Sequence, residues 1–219
     1  MKFEIPQEEL QKALDLVSGV VPTKTTLPIL KSILVDAGDH GLRFSVTNLD
    51  ISMVTVTEAA SVATAGRAAV PADKFVSFVR SLAPGSVEVA LTGGKLTVRS
   101  GKASLSEQVQ NAEEYPSLPE LADEKALPMP GDVLTAMLSE TAYAVSRDET
   151  RPALMGIHWE VAPEGLTMVA TDAHRLARSR RELDWACDQT RAMIVDTAGL
   201  RHLSRVAGQT GDDGEVAVF

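Results

Sequence analysis

The sequence predicts an α+β protein built as a tandem repeat, each copy carrying two helices packed on antiparallel sheets. Three observations predict it: the chain matches itself at a fixed shift, both copies alternate strand-period and helix-period apolar segments in the same order, and Pro and Gly punctuate them at matching places. At a shift of 124 residues Ile5-Pro6 falls on Met129-Pro130, and Leu10 and Leu14 fall on Leu134 and Leu138. Pro28 falls on Pro152, Gly41-Leu42 on Gly165-Leu166, and Thr47-Asn48 on Thr171-Asp172. A shift of 125 then aligns Val70 with Val195, Phe75 with Leu200 and Arg80 with Arg205.

Each copy opens with a short strand, Lys2 to Ile5 and Ala126 to Met129, closed by a proline that a helix tolerates at its start. The first helix follows. Leu10, Ala13, Leu14 and Val17 recur at helical spacing in copy one; Leu134, Met137, Leu138, Thr141 and Val145 do so in copy two. Strands are expected over Ile29 to Val35, Leu42 to Val46 and Ser52 to Thr57, matched by Leu154 to Glu160, Leu166 to Ala170 and Leu176 to Glu182. Gly41 and Gly165 mark turns between them. The second helix carries Phe75, Phe78, Val79 and Leu82 in copy one and Leu200, Leu203 and Ala207 in copy two. Strands resume at Ser86 to Leu91 and at Glu215 to Phe219. Copy one continues with Lys95 to Ser100 and Lys102 to Val109. Its Pro-rich segment Tyr115-Pro116-Ser117-Leu118-Pro119 reads as a linker. This gives domain one over 1–122, a linker over 123–127 and domain two over 128–219. Domain two is expected to be incomplete, because copy one holds roughly 30 residues with no counterpart after Phe219.

The 219 residues suffice for two modest cores, and 44% apolar with 23% charged residues is ordinary for a globular chain. No apolar stretch is long enough to span a membrane, and the N-terminus lacks the pattern of a signal peptide. One cysteine, Cys187, has no partner for an internal disulfide, which fits a cytoplasmic setting. A net charge of -9 argues against a protein coated in nucleic acid, though cations gathered on one surface remain compatible with it.

Five segments carry a resemblance: Thr26-Leu27-Pro28-Ile29-Leu30, Val70-Pro71-Ala72-Asp73-Lys74-Phe75, Leu96-Thr97-Val98-Arg99-Ser100-Gly101, Tyr115-Pro116-Ser117-Leu118, and Ala170-Thr171-Asp172-Ala173-His174-Arg175-Leu176-Ala177. In this order and spacing the chain resembles, over its whole length, the bacterial DNA sliding clamps, the beta subunits of DNA polymerase III. The resemblance implies clamp domains one and two of a three-repeat subunit. Two such subunits close head to tail into a homodimeric ring around duplex DNA. It implies a processivity factor rather than an enzyme, with no cofactor, no metal and no membrane partner. The implied partners are duplex DNA, held without regard to sequence, and the polymerase III alpha subunit, the clamp loader, other polymerases and repair proteins, each docking a short peptide motif.

Such a ring needs phosphate contacts that do not read bases. Lys74 and Arg80 lie opposite the apolar stripe of the second helix in copy one; Arg201 and Arg205, beside His202, do so in copy two. Lys24 and Arg151 resemble DNA-facing loop positions of the family. The same cations also read as ordinary solvated helix faces. Thr197-Ala198 stands where relatives often carry basic residues, and Glu149 to Ala153 lacks the aromatics some relatives have. The resemblance maps half of a partner-peptide pocket onto Leu154, Thr171, His174, Arg175 and Leu176, with Ala173 where the family commonly has glycine. Thr47-Asn48 at the equivalent place in copy one leaves open a turn role for Thr171-Asp172, so His174-Arg175-Leu176 is the part particular to copy two. Leu105, on an expected edge strand, is the subunit-interface candidate.

Two rival readings are a hydrolase using Asp172 and His174 as metal ligands, or His174 with Cys187, and a duplicated scaffold binding a small ligand. The four histidines form no H-x-x-x-H pattern, Gly93-Gly94 is not followed by the Lys-Ser/Thr of a phosphate loop, and Cys187 sits among acidic residues that disfavour a thiolate.

Overall fold

The computed structural model describes residues 1–118, 127–185, 187–207 and 215–218. The chain divides into two compact units, Met1–Pro119 and Glu120–Phe219.

In unit one, β1 (Lys2–Pro6) runs directly into α1 (Gln7–Ser18). A 3-10 turn (Pro28–Lys31) leads into β2 (Ser32–Gly38), β3 (Gly41–Thr47), β4 (Ser52–Thr57), β5 (Ser61–Thr64) and β6 (Gly66–Pro71). Then come α2 (Ala72–Ser81), β7 (Ser86–Thr92), β8 (Lys95–Ser100), β9 (Ala103–Gln108) and a 3-10 turn at Ala112–Glu114. Two antiparallel sheets result, ordered β5-β1-β7-β8-β9 and β4-β3-β2-β6. Leu10, Ala13, Leu14 and Val17 of α1 and Phe75, Val76 and Val79 of α2 are buried in one core with Phe3, Ile33, Phe44 and Val70.

Unit two repeats the plan: β10 (Leu127–Pro130), α3 (Gly131–Thr141), 3-10 turns at Ala142–Ala144 and Pro152–Leu154, β11 (Gly156–Ala162), β12 (Gly165–Thr171), β13 (Leu176–Glu182), β14 (Arg191–Asp196), α4 (Thr197–Ala207) and β15 (Glu215–Val218). Its four-stranded sheet is ordered β13-β12-β11-β14, the counterpart of β4-β3-β2-β6, and β10 pairs β15 as β1 pairs β7. The pairing agrees residue by residue. Leu34 faces Ser45 and Leu42 faces Thr57; 124 positions on, His158 faces Val169 and Leu166 faces Arg181. Ile33 faces Val70, and Ile157 faces Val195, so the extra residue of the longer shift lies between β13 and β14.

Three helices, α1, α3 and α2, begin directly after a proline with φ near the helical value: Pro6 (-57°), Pro130 (-59°) and Pro71 (-53°). The hairpin glycines are sterically required. Gly41 (φ +83°) and Gly165 (φ +138°) would each drive a Cβ onto the carbonyl oxygen of the facing strand, 2.4 Å from Thr57 and 2.0 Å from Arg181.

Several expectations are corrected. Pro28 and Pro152 open 3-10 turns, so β2 and β11 start at Ser32 and Gly156 rather than at Ile29 and Leu154; proline has no N–H to give to a ladder. The helix of copy two stops at Thr141, whose hydroxyl donates to the Met137 carbonyl, and half-buried Val145 packs on the core from the loop beyond. Strands β5, β6 and β14 were not expected. Tyr115 is no linker residue. It is 6% exposed, packs with Leu34 and Ala69, and its hydroxyl donates to Ser32 O and accepts from Thr47 N. Leu127, expected in the linker, belongs to β10. Leu105 sits on edge strand β9 as expected, but it is half-buried against the core. Pro119, the linker positions 123–126, Ala126 as a strand start and Phe219 lie outside the described residues. No described helix is long and apolar enough to cross a membrane.

Candidate functional site

The cations named from sequence fall into two groups. In repeat one the second-helix pair is locally neutralised. Lys74 Nζ lies 2.9 and 3.1 Å from the two carboxylate oxygens of Glu107 on β9, and Arg80 makes two bonds, 2.8 and 2.6 Å, to Asp15 Oδ1 on α1. In both pairs the cation is exposed and the carboxylate is partly buried. Arg151 pairs with Asp148 at 3.4 Å, and the Thr150 hydroxyl and backbone N–H hold the Asp148 carboxyl below its ordinary value, with Arg151 adding to this. Lys24, in the loop after α1, and Arg201, on α4, are exposed and belong to no ion pair among the described residues. Arg205 is half-buried in the last turn of α4. Burial, then the charges of Arg205 and Arg201, lower the affinity of His202 for its proton.

The Thr171–Leu176 segment is a turn built by its own side chains. The Thr171 hydroxyl donates to Arg175 O (2.7 Å) and accepts from Ala173 N (3.1 Å); Asp172 Oδ1 accepts from the backbone of His174 and Arg175 (3.0 and 2.9 Å). These bonds, from Arg175 first, hold the Asp172 carboxyl below its ordinary value. Repeat one has the same turn: the Thr47 hydroxyl bridges Ile51 O and Leu49 N, and Asn48 Oδ1 accepts from Asp50 and Ile51. The third turn residue is left-handed in both, Leu49 at φ +80° and Ala173 at φ +75°. Thr171 and Asp172 therefore have a structural role, and what is particular to repeat two is what the turn displays. Arg175 donates from Nε to Asp172 Oδ2 (3.0 Å) and from its terminal nitrogen to Tyr143 O (2.7 Å), with the guanidinium 5.6 Å from the Tyr143 ring centre. His174 is exposed, and Leu176 is 65% exposed. Tyr143, 60% exposed, is the member of this patch that sequence reasoning missed; its place follows α3 by a turn no periodicity marks. Leu154 is held apart from the turn's hydrogen bonds, tied instead to Ser146 and Arg151.

The arrangement suits binding through an amphipathic patch: an apolar face, a histidine and an arginine fixed in direction. Among the described residues no three of His, Cys, Asp and Glu gather as a metal-binding set. Both oxygens of Asp172 are engaged within the turn, and the Cys187 thiol donates to Gln189 O.

Two copies of one helix-on-sheet unit, joined by a shared pairing register, define a duplicated clamp-type protein. Residues 1–119 match the family model for the DNA polymerase III beta subunit N-terminal domain, and residues 128–219 match that for its central domain. The chain belongs to the DNA polymerase III beta subunit family. It is 33% identical to the beta sliding clamp of Bacillus subtilis (strain 168) over 214 residues, covering 94% of this chain and 57% of that protein. It is 34% identical to the beta sliding clamp of Synechococcus elongatus over 225 residues, covering 100% of this chain and 59% of that protein. Among solved structures, the Bacillus subtilis DNA polymerase sliding clamp superposes with a TM-score of 0.91 at 32% identity, over 100% of this chain and 58% of that one. A Pseudomonas aeruginosa sliding clamp bound to griselimycin gives 0.91 at 30% identity, over 99% and 58%. The chain thus spans less than two thirds of the length of the relatives it matches.

Proposed function

We propose that the chain works within a DNA sliding clamp, encircling duplex DNA as part of a homodimeric ring and tethering the replicative polymerase for processive synthesis. The observation that carries this reading is the family match over both repeats, in order. The helices bearing Lys74, Arg80, Arg201 and Arg205, with the loops bearing Lys24 and Arg151, line the hole, where cations meet phosphates and no side chain reads a base edge. Lys74, Arg80 and Arg151 already have a carboxylate partner, which suits loose passage of the duplex better than a fixed grip. The chain acts by tethering and not by catalysis, in the cytoplasm.

The patch of Leu176, His174 and Arg175, with Thr171 setting the turn and Leu154 beyond it, is half of the pocket for short peptide motifs of the polymerase III alpha subunit, the clamp loader, other polymerases and repair proteins. An exposed leucine offers an apolar anchor site, and Arg175 gives direction. Tyr143 joins this half. The griselimycin-bound Pseudomonas aeruginosa clamp supports a ligand site on such proteins. Edge strand β9, with Leu105, supplies one side of the subunit interface by strand pairing. We place the junction between the clamp domains at residues 123–126.

Retention on DNA of defined topology tests the reading. The chain, completed with the third domain of a relative, is loaded onto nicked circular DNA and followed by gel filtration before and after linearisation. A clamp stays on the circle and leaves through free ends; equal retention on both, or on neither, favours the duplicated ligand-binding scaffold instead.

A further inference from the structure

Strand β13 sends its side chains to two faces. Ala177 and Ser179 are buried toward α3, where Glu140 accepts from the Ser179 hydroxyl (2.5 Å) and from Arg181 (2.6 Å). Leu176, Arg178 and Arg180 alternate with them, so all three leave the sheet on the side away from α3, and all three are exposed. Arg178 faces Val169 across the ladder and Arg180 faces Thr167, so no carboxylate stands opposite either arginine. Glu182, at the far end of β13, and Glu160, two strands away on β11, share this face, and neither pairs with these arginines. Neither arginine belongs to an ion pair among the described residues. Cations guard an edge strand against unwanted pairing, but repeat one does without them. The matching residues on β4, also an edge, are Val54 and Val56. The arginines are therefore particular to repeat two, as is the display of His174, Arg175 and exposed Leu176 on the turn just before them.

We infer that the outer face of β13 is an acid-recognising extension of the peptide pocket: Arg178 and Arg180 take the carboxylates of an extended partner segment whose apolar residue rests on Leu176. The inference rests on the partner-peptide reading. Alternate residues of a strand stand about 6.6 Å apart, and an extended peptide laid alongside has the same spacing. Acids at alternate positions beyond an apolar anchor therefore meet the two guanidinium groups in turn. Each guanidinium can take a carboxylate through two parallel N–H bonds. Leu176 and Val169 on the same face favour a peptide over a nucleic acid, which brings no apolar side chain to cover them. In a chain of net charge -9, cations gathered here draw an acidic segment to one place.

The experiment uses the 219-residue chain and the variants Arg178→Gln, Arg180→Gln, their double variant and Leu176→Ala, all at exposed positions. The probes are fluorescent hexapeptides, Leu-Phe-Ser-Glu-Ser-Glu and its reverse, each with a counterpart carrying Gln for Glu, and binding is followed by anisotropy. In one orientation the acidic peptide should bind about tenfold tighter than its Gln counterpart, because each exposed pair is worth about threefold. The preference should fall to about threefold in either single variant, vanish in the double variant and narrow as salt is raised. Affinity for the Gln peptide should be unchanged in the double variant and weakened by Leu176→Ala. No acidic preference in the parent chain, or one that survives in the double variant, overturns the inference; if Leu176→Ala still weakens the Gln peptide, the pocket reading stands. An acidic preference that the double variant abolishes and Leu176→Ala leaves untouched upholds the carboxylate site and counts against the pocket reading. Binding of no peptide overturns the inference and counts against the pocket reading as well. A fluorescent duplex whose binding the double variant weakens as strongly as that of the acidic peptide makes the face a general anion surface and overturns the inference.

Discussion

Repeat one covers the edge of its four-stranded sheet, whereas repeat two presents the same edge. On β6, Ala69 exchanges two backbone hydrogen bonds with Gln110 (3.2 and 2.9 Å), and Tyr115 buries Leu34 and Ala69 beneath its ring. On β14, Ile194 takes the Ala69 position and is 52% exposed, with Met193 37% exposed beside it. The connection before that edge differs too. Repeat one runs β5 alongside β1. Repeat two places Trp185 there, buried, its ring N–H donating to Ala162 O at 2.8 Å. An identical pairing register therefore coexists with different covers. Inward-facing residues set the register, because a slip by one turns every core side chain outward; the outer face is free to diverge.

Both tryptophans lie in repeat two, so tryptophan fluorescence reports on that repeat alone while far-ultraviolet circular dichroism reports on both. The largest expected effect is from Tyr115→Ala, which removes a buried ring and should destabilise repeat one by about 3–5 kcal/mol. In urea the circular dichroism transition moves and the tryptophan transition stays; no movement of either would make the segment the linker that the sequence suggested. Burial raises the Tyr115 phenol above its ordinary value, with the Thr47 N–H opposing. Its contribution is whole below the unfolded value near 10 and is lost as pH rises through the folded one. Next, Ala69→Ile should overpack the covered edge and cost about 1–3 kcal/mol, whereas Ile194→Ala at the open edge should stay within about 0.5 kcal/mol. Equal costs would erase the contrast between the edges. Smaller again, Ala173→Gly relieves a left-handed alanine and should raise the tryptophan-reported stability by about 1 kcal/mol, as Leu49→Gly should for repeat one. The smallest effect is a pH dependence. The folded value of His202 lies below its ordinary value of 6.5. As pH falls through 6.5 toward that folded value the unfolded chain takes up the proton first, so repeat two loses stability; His202→Gln should flatten the dependence.

Much of this was legible in the sequence, for identifiable reasons. Helix stripes such as Leu10, Leu14 and Val17 and their partners Leu134 and Leu138 declare a buried face by spacing alone. The Thr47-Asn48 and Thr171-Asp172 matches signalled a turn that both repeats form with the same bonds. Strands β5 and β6 were missed because Ser61–Thr64 and Gly66–Pro71 hold small or polar residues without alternation, their place set by neighbours. The role of Tyr115 was hidden by the prolines that follow it, since its partners are 68 and 83 residues away. Ion pairing was illegible for the same reason: Lys74 with Glu107 and Arg80 with Asp15 join residues 33 and 65 apart, so sequence shows cations but not which are already answered.

Disulfide trapping tests the shared register most directly. In a Cys187→Ser background, cysteines replace Arg43 and Val56, which face each other on β3 and β4, and separately Thr167 and Arg180, their counterparts on β12 and β13. Both pairs should close under mild oxidation to similar yield. Control pairs one residue out of register, Arg43 with Thr55 and Thr167 with Ser179, should not, because their side chains leave opposite faces. Closure in repeat one alone, or in a control pair in place of its partner, would contradict a duplicated register.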